Sequence, residues 1–270
     1  CIRDRVKGKF RTAELKSKFY KDKFNKCVLF PLALMVFAFG IGVIVQKDLG
    51  SSLILAAICF ICFMSTPRDY YKKYKKLVWI ALAVAVIILG FLITAVLQGY
   101  QLQRIDSWLK PLKIENIYDS SWQLVNSLIA FTDGGIFGLG LGNSIQKYDY
   151  IPEAHNDFIG AIIYEELGIF GLALMIIPTA IIIFRLLKYA DQIQNNKSRV
   201  ILIGIASYFM LHLFVNLGGV SGLIPMTGVP LLLVSSGGSS TIAALIAIGI
   251  AQAIISKFNK EQLEKTDTQL

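Results

Sequence analysis

Apolar and polar residues alternate along the chain in long blocks rather than position by position. Six apolar runs each come close to the roughly 20 residues that a helix needs to cross a hydrocarbon core about 30 Å thick. The runs cover residues 27–46, 49–66, 77–97, 158–184, 200–220 and 239–256. The pattern predicts an all-α fold, a polytopic α-helical membrane protein with six transmembrane helices and both chain ends on the same side.

The longest polar stretch, residues 98–157, separates the third run from the fourth and is predicted to be a large extracellular loop. Within it, Trp122–Phe131 has apolar residues at helical spacing and is expected to rest on the membrane as a helix. A glycine-rich run follows at 134–142. No GK[ST] sequence ends this run, so a tight re-entrant turn is favoured over a nucleotide-binding loop.

Composition and charge placement fix the orientation. Apolar residues make up 55% of the chain, charged residues 17%, and the mean hydropathy is +0.60. Of the 27 Lys and Arg residues, ten lie in 1–26, five in 68–76, four in 185–199 and three after 256. These are alternate connections of a six-span chain, so they mark the cytoplasmic face. The net charge of +9 therefore reflects topology, and no nucleic-acid partner is expected.

The predicted organisation follows from these two patterns. It comprises a basic cytoplasmic segment 1–26, three transmembrane helices in 27–97 with a basic inner loop at 67–76, the extracellular loop 98–157, three transmembrane helices in 158–257 with a re-entrant outer segment at 219–238, and a cytoplasmic tail 258–270. The basic segment 1–26 is either an amphipathic element on the inner leaflet or a solvated loop. The Cys59–Cys62 pair lies inside an apolar run, which favours a packing role over a metal or redox site.

The acidic cluster before the fourth run is a candidate for chemistry. Glu153, His155 and Asp157 share one side if the segment is extended, which would suit a metal site. If it is helical, Glu153 and Asp157 share a face and could serve as an acid/base pair. The alternative is a solvated loop in which Asn156 or Asp157 caps the following helix.

Ionisable residues at membrane depth form a second set of candidates. Glu165 and Glu166 lie about two helical turns into the fourth run. They are expected either to form an ion pair with a basic residue of the outer side, such as Lys147, or to bind a substrate or cation. His212 in the fifth run is interpreted as a hydrogen-bonded packing residue, and the uncharged segment 219–238 as a wall of a hydrophilic cleft.

Several motifs occur in one order along the chain. They are Gln46–Gly50 (QKDLG), Tyr100–Ile105 (YQLQRI), Gly138–Ser144 (GLGLGNS), Pro152–Asp157 (PEAHND), Glu165–Gly168 (EELG), Gly222–Pro230 (GLIPMTGVP) and Val234–Ser240 (VSSGGSS). Together they resemble the SEDS family of FtsW, RodA and SpoVE, membrane glycosyltransferases of cell-wall synthesis, and most closely FtsW. Family members have ten spans, so the resemblance implies that this chain matches spans five to ten. Lys47, Asn156 and Ser236 depart from the residues usual in the family.

The resemblance implies a peptidoglycan glycan-strand polymerase that uses lipid II at the outer face of the bacterial cell membrane, in septal synthesis during cell division. The catalytic aspartate of the family corresponds to Asp157. Further expected substrate contacts are Lys47, Arg104, Lys147, Glu153, His155, Glu165, Glu166, Ser235 and Ser239.

The leaving diphosphate needs positive charge, which Arg104, Lys47, Lys110 or Lys147 could supply, with or without a divalent cation (Mg²⁺ or Mn²⁺). The expected partners are a class B penicillin-binding transpeptidase and other divisome membrane proteins. The alternatives are a lipid II flippase, a RodA-like elongation polymerase, and a scaffold that positions a transpeptidase.

Overall fold

The computed structural model describes residues 37–38, 41–42, 48–66, 106–113, 121–148, 150–152 and 154–267. Its helices of eight or more residues are α1 (Leu49–Ser65), α2 (Trp122–Gly134), α3 (Ile159–Gln192), α4 (Asn196–Val220) and α5 (Gly238–Asp267). The described residues contain no strand, which agrees with the predicted all-α class.

Three of the helices, α3, α4 and α5, are long and apolar enough to cross a membrane. They coincide with the predicted spans 158–184, 200–220 and 239–256, and α1 coincides with the span predicted at 49–66. The spans predicted at 77–97 and, apart from four residues, at 27–46 lie outside the described residues. The count of six therefore stays a prediction.

The chain falls into two compact units, Cys1–Ala56 and Ala57–Leu270. In the first unit, Asp48 immediately precedes α1 and accepts a hydrogen bond at its Oδ1 from the backbone N–H of Ser51 (3.0 Å). The hydroxyl of Ser52 donates to the Asp48 carbonyl (2.6 Å). Asp48 therefore satisfies donors at the start of a helix, which gives its charge a structural role.

The second unit is built around α4, the most buried of the three long helices. The short connection 193–195 joins α3 to α4, and the Asn195 side chain caps α4 by accepting from Lys197 N–H (3.1 Å). Near the end of α3, the ring of Tyr189 lies 6.3 Å from the ring of Phe258 in α5, in an edge-to-face contact. The basic α3–α4 connection and the start of the basic tail therefore lie at the same end of the helices.

Two apolar clusters hold this unit together. One lies where α3, α4 and α5 meet, around Leu202, Phe209 and Ala244. The other joins α2 to the start of α3 and the end of α4, with Ala130, Phe158, Ala161, Ile162 and Val220 at its centre and Ile151 beside them. The second cluster underlies the candidate site.

The helix predicted within the outer loop forms as α2, Trp122–Gly134, three residues longer than the expected Trp122–Phe131. The Ser127 hydroxyl of α2 donates a hydrogen bond to the Val220 carbonyl at the end of α4 (2.7 Å).

The expectation that Asn156 or Asp157 caps the fourth span is wrong. The N-cap of α3 is Phe158, because the turn at 154–158 ends one residue after Asp157. The phenyl ring of Phe158 has no atom that could make a side-chain cap hydrogen bond.

Candidate functional site

Asp157 lies in the turn that leads into α3, with a half-buried side chain. The segment 154–158 is neither the helix nor the extended strand considered from sequence; it is a series of turns. Asp157 lines a small, partly open cavity together with residues of two other segments, the end of α4 and 226–229. The lining residues are Asp157, Phe158, Val215, Asn216, Gly219, Val220, Met226, Thr227, Gly228 and Val229.

Gly228 lies beside the Asp157 carboxylate. A Cβ at Gly228 would lie 3.4 Å from Asp157 Oδ2, an ordinary van der Waals contact, and the backbone there has φ +69°. Side-chain-bearing residues rarely adopt that φ, so a substitution would strain the turn. The carboxylate therefore meets bare backbone on this side.

Asn216 fixes the backbone on both sides of this cavity. Its Nδ2 donates to the carbonyl of Asp157 (2.7 Å) and to the carbonyl of Val229 (2.8 Å). The side chain is 3% exposed, and within the described residues its Oδ1 has no hydrogen-bond partner. The sequence analysis missed this residue. Its position could have indicated a functional role, because Asn216 is a polar residue near the end of an apolar span, one helical turn after His212.

The acidic segment is also tied to the serine motif before α5. Ser235 is buried, and its hydroxyl donates to the Asn156 carbonyl (2.8 Å) while accepting from Leu231 N–H (2.8 Å). Ser236 donates from its backbone to the His155 carbonyl (3.2 Å). These contacts make Ser235 a link between segments, while the His155 side chain remains exposed. Ser239 is exposed in the first turn of α5.

His212 contacts the non-helical segment between α4 and α5. Its Nδ1 lies 3.3 Å from the Pro230 carbonyl, and its ring packs edge-to-face on Tyr208 with centroids 4.6 Å apart. The segment between α4 and α5, residues 221–237, is non-helical as expected from its glycines and prolines. This geometry suits the packing role interpreted from sequence.

Glu165 is fully buried and serves as an acceptor for the loop 144–146. The Ser144 hydroxyl donates to its Oε2 (2.5 Å), and Ile145 N–H donates to its Oε1 (2.9 Å). Gln146 N–H lies 3.4 Å from both oxygens. Because hydrogen bonds to a charged acceptor are stronger than neutral ones, this carboxylate organises the loop around it.

Glu166 forms an ion pair with Lys147, as one of the two interpretations of the sequence predicted. The Lys147 Nζ lies 2.8 Å from Glu166 Oε1 and 2.5 Å from the Gly142 carbonyl. The hydrogen bond to Glu166 raises the pKa of Lys147 above its usual 10.5. The ammonium group that sequence assigned to a diphosphate therefore already has a carboxylate partner.

A break in α3 brings these loop and helix residues together. Gly168 has φ +61° and ψ −142°, a backbone region that glycine alone adopts readily, so α3 changes direction there. Ile169 N–H, which would bond the Glu165 carbonyl in a continuous helix, donates instead to Ile136 O (3.0 Å). In return Leu139 N–H donates to the Glu165 carbonyl (2.9 Å).

The glycine-rich run therefore completes the hydrogen bonds of the broken helix. Gly140 N–H donates to the Glu166 carbonyl (2.9 Å) in the same way. A Cβ at Gly134 would lie 2.8 Å from Glu165 Cα, so the two backbones touch. The sequence motif at 165–168 was recognised, but the span predicted at 158–184 gave no indication of a break at Gly168.

Comparison with known proteins assigns the family. A family model for FtsW, RodA and SpoVE, described as "Cell cycle protein", matches residues 11–261. The chain belongs to the FtsW/RodA/SpoVE family. The match includes every candidate residue, from Lys47 to Ser239.

Family relatives are similar to this chain over most of its length. A "Probable peptidoglycan glycosyltransferase FtsW" of Bacillus subtilis (strain 168) is 37% identical over 248 residues, which cover 91% of this chain and 60% of that protein. "Stage V sporulation protein E" of the same organism is 32% identical over 240 residues, 87% of this chain and 63% of that protein. This chain thus spans about 60% of the length of these relatives.

A solved structure shares the fold. The structure entitled "Structural coordination of polymerization and crosslinking by a peptidoglycan synthase complex" superposes with a TM-score of 0.65. The two chains are 22% identical, and the match covers 87% of this chain and 63% of the other. At that identity the likeness supports the FtsW/RodA/SpoVE fold and nothing finer.

Within this family fold the described candidate residues form two groups. In the first, Asp157 lines the cavity at the start of α3, and the adjoining backbone of Asn156 and His155 is hydrogen-bonded to the segment that carries Ser235. Glu165, Glu166 and Lys147 form a second group at the break in α3. Ser239 belongs to neither group. Lys47, Arg104 and Glu153 lie outside the described residues.

A divalent cation would need oxygen ligands that the described residues do not gather. Among them, no group of three His, Cys, Asp or Glu side chains is close enough to hold a metal ion. The alternative of a metal site through Glu153, His155 and Asp157 involves Glu153, which is outside the described residues.

Proposed function

We propose that this chain is part of a peptidoglycan glycan-strand polymerase that uses lipid II at the outer face of the cytoplasmic membrane. The observation that carries the proposal is a carboxylate, Asp157, lining a cavity where a membrane-spanning helix begins. Relatives named peptidoglycan glycosyltransferase, 37% identical in the case of Bacillus subtilis FtsW, support the reaction class.

The proposed reaction joins two lipid-linked sugars. The 4-hydroxyl oxygen of one lipid II disaccharide bonds to the anomeric carbon of the growing strand, and the bond from that carbon to the undecaprenyl diphosphate oxygen breaks. Asp157 accepts the hydroxyl proton as the new bond forms and then releases it to water. Undecaprenyl diphosphate departs as an anion.

The surroundings of Asp157 suit a general base. Asn216 holds the Asp157 backbone through a 2.7 Å hydrogen bond, which restricts where the carboxylate can point. Gly228 keeps the space beside Oδ2 free of a side chain. A base held in this way can meet a hydroxyl without first reorganising, which is the basis of catalysis by positioning.

Charge for the leaving diphosphate is assigned to residues other than Lys147. Its ammonium group is paired with Glu166 at 2.8 Å and would have to give up that partner. Arg104, Lys47 and Lys110 remain the proposed cations for this role. The proposed partners are a class B penicillin-binding transpeptidase and other divisome membrane proteins, at the division septum, with both chain ends cytoplasmic.

A lipid II flippase is the second candidate, because α3 is broken at Gly168 and broken helices are common in transporters. Transport would require polar groups through the depth of the membrane. Residues 169–184 and 239–256 contain no ionisable side chain, and 200–220 contain only Tyr208 and His212. The charge distribution therefore favours chemistry at one face.

The proposal is tested with the full-length protein reconstituted in liposomes with its transpeptidase partner and fluorescent lipid II. Wild type and Asp133→Asn, a control at an exposed acidic residue of α2, are expected to make glycan polymer. Asp157→Asn is expected to make polymer at a rate lower by roughly 10²–10⁴-fold. Translocation of lipid II without polymer by wild type would contradict the polymerase and favour the flippase.

A further inference from the structure

The segment 136–141 presents apolar side chains to the surroundings although it lies outside the transmembrane helices. Ile136, Phe137 and Leu141 are 64%, 79% and 76% exposed. Leu139 is also exposed. If the segment were surrounded by water, these large apolar side chains would be exposed to solvent, so their environment requires an explanation.

Backbone hydrogen bonds fix this segment directly beside α3. Leu139 and Gly140 donate to the carbonyls of Glu165 and Glu166, and Ile136 accepts from Ile169. The segment therefore runs alongside residues 165–169, about two turns into a helix of membrane-spanning length.

The same contacts satisfy much of the polar backbone of the segment. Gly138 N–H donates to the Gly134 carbonyl (2.7 Å), and the carbonyls of Gly140 and Leu139 accept from the backbone and side chain of Asn143 (both 3.1 Å). Non-helical backbone is tolerated at membrane depth only when its polar groups are paired within the protein. The segment meets much of this requirement.

The exposed apolar side chains continue onto the exposed apolar surface of α3. The rings of Phe137 and Phe170 lie 6.4 Å apart. Beyond Phe170 the exposed side chains of α3 include Leu174, Ile177 and Ile181, within a stretch that has no charged residue. A single apolar surface therefore joins the loop to the membrane-spanning helix.

The two carboxylates of α3 beside the segment both have partners within the protein. Glu165 is fully buried with hydrogen bonds to the loop, and Glu166 is paired with Lys147. Tyr148 and Tyr150 follow the segment and are exposed, which is the residue type enriched where a membrane meets water. The polar groups thus lie at one border of the apolar surface.

We propose that the 136–141 segment inserts into the outer leaflet, where Ile136, Phe137, Leu139 and Leu141 contact lipid acyl chains as an extension of the surface of α3. The occupant of this face is lipid hydrocarbon, since its nearest continuation is the exposed apolar side of α3, a helix of membrane-spanning length. The inference rests on the membrane-spanning character of α3 and is independent of the proposed enzymatic activity.

The test uses the full-length protein with its native cysteines replaced by alanine, reconstituted in nanodiscs. An environment-sensitive NBD fluorophore is attached at Phe137→Cys. Leu174→Cys within α3 serves as the lipid-facing reference, and Glu261→Cys on the charged end of α5 serves as the water-facing reference. Leu141→Cys provides a second reading of the segment if Phe137→Cys does not fold.

The label in the segment is expected to emit at shorter wavelength than the label at 261. Lipids carrying a nitroxide on the acyl chain should quench it as strongly as the label at 174, and lipids with a headgroup nitroxide should quench it less. Emission and quenching equal to those at 261 would overturn the proposal. A blue-shifted label that acyl-chain nitroxides do not quench would also overturn it, since protein would then cover the segment.

Discussion

Replacing Glu165 by alanine should destabilise the protein more than any neighbouring acidic substitution. In the folded chain this carboxylate is 0% exposed and accepts hydrogen bonds from Ser144, Ile145 and Gln146. Alanine offers no acceptor to any of these groups. The Ser144 hydroxyl can rotate to another partner, but the two backbone N–H groups cannot.

The magnitude follows from those two orphaned donors. A buried donor left without an acceptor costs about 1–3 kcal/mol, so the pair costs about 2–6 kcal/mol. The matched substitution Glu166→Gln removes only the ion pair with Lys147, whose side chain is 26% exposed. Partly exposed ion pairs contribute roughly 0.2–1 kcal/mol.

Thermal unfolding of the detergent-solubilised variants measures the difference. A change of 1 kcal/mol shifts the Tm of a 150–250-residue domain by roughly 2–4 °C, so Glu165→Ala should lower Tm by roughly 4–24 °C. Glu166→Gln should lower it by less than about 4 °C. Equal Tm values for the two variants would refute the role assigned to Glu165 in organising the loop.

The remaining predictions concern the helix break, the cavity and the ion pair. Gly168→Ala should prevent stable folding, because its Cβ would collide with a backbone carbonyl. Gly249→Ala, where a Cβ meets nothing, should instead raise Tm slightly. Size-exclusion profiles that do not differ between the two variants would contradict this. Asn216→Ala should lower the polymerisation rate by roughly 10²-fold by releasing the backbone of Asp157, the proposed general base, and a wild-type rate would show that the hydrogen bond is dispensable. Because the pKa of Lys147 is raised above 10.5, its pairing stabilises the fold below that pH and the contribution is lost as the pH rises through the raised value. The Tm advantage of wild type over Lys147→Met should therefore disappear in strongly alkaline buffer, and an advantage that grows there would contradict the assignment.

The positions of α3, α4 and α5 were predictable because apolar runs of membrane-spanning length have few alternatives to helix. The helix in the outer loop was predictable for a related reason, since its apolar residues recur at helical spacing. The non-helical segment 221–237 followed from its glycines and prolines.

The contacts of the site could not be predicted in the same way. Glu165 was recognised as a costly charge, but its partners lie about 20 residues earlier, and no local pattern links them. The break at Gly168 depends on carbonyl and N–H groups exchanged with a distant loop. Asn216 resembled any polar residue near a helix end until its two backbone partners were known.

The central claim is that Asp157 acts as the base in glycan polymerisation, and its most direct test separates binding from chemistry. The full-length Asp157→Asn protein is compared with wild type for lipid II affinity and for polymerisation rate under single-turnover conditions. Loss of a general base predicts a rate lower by roughly 10²–10⁴-fold with affinity little changed. A polymerisation rate equal to that of wild type would contradict the claim.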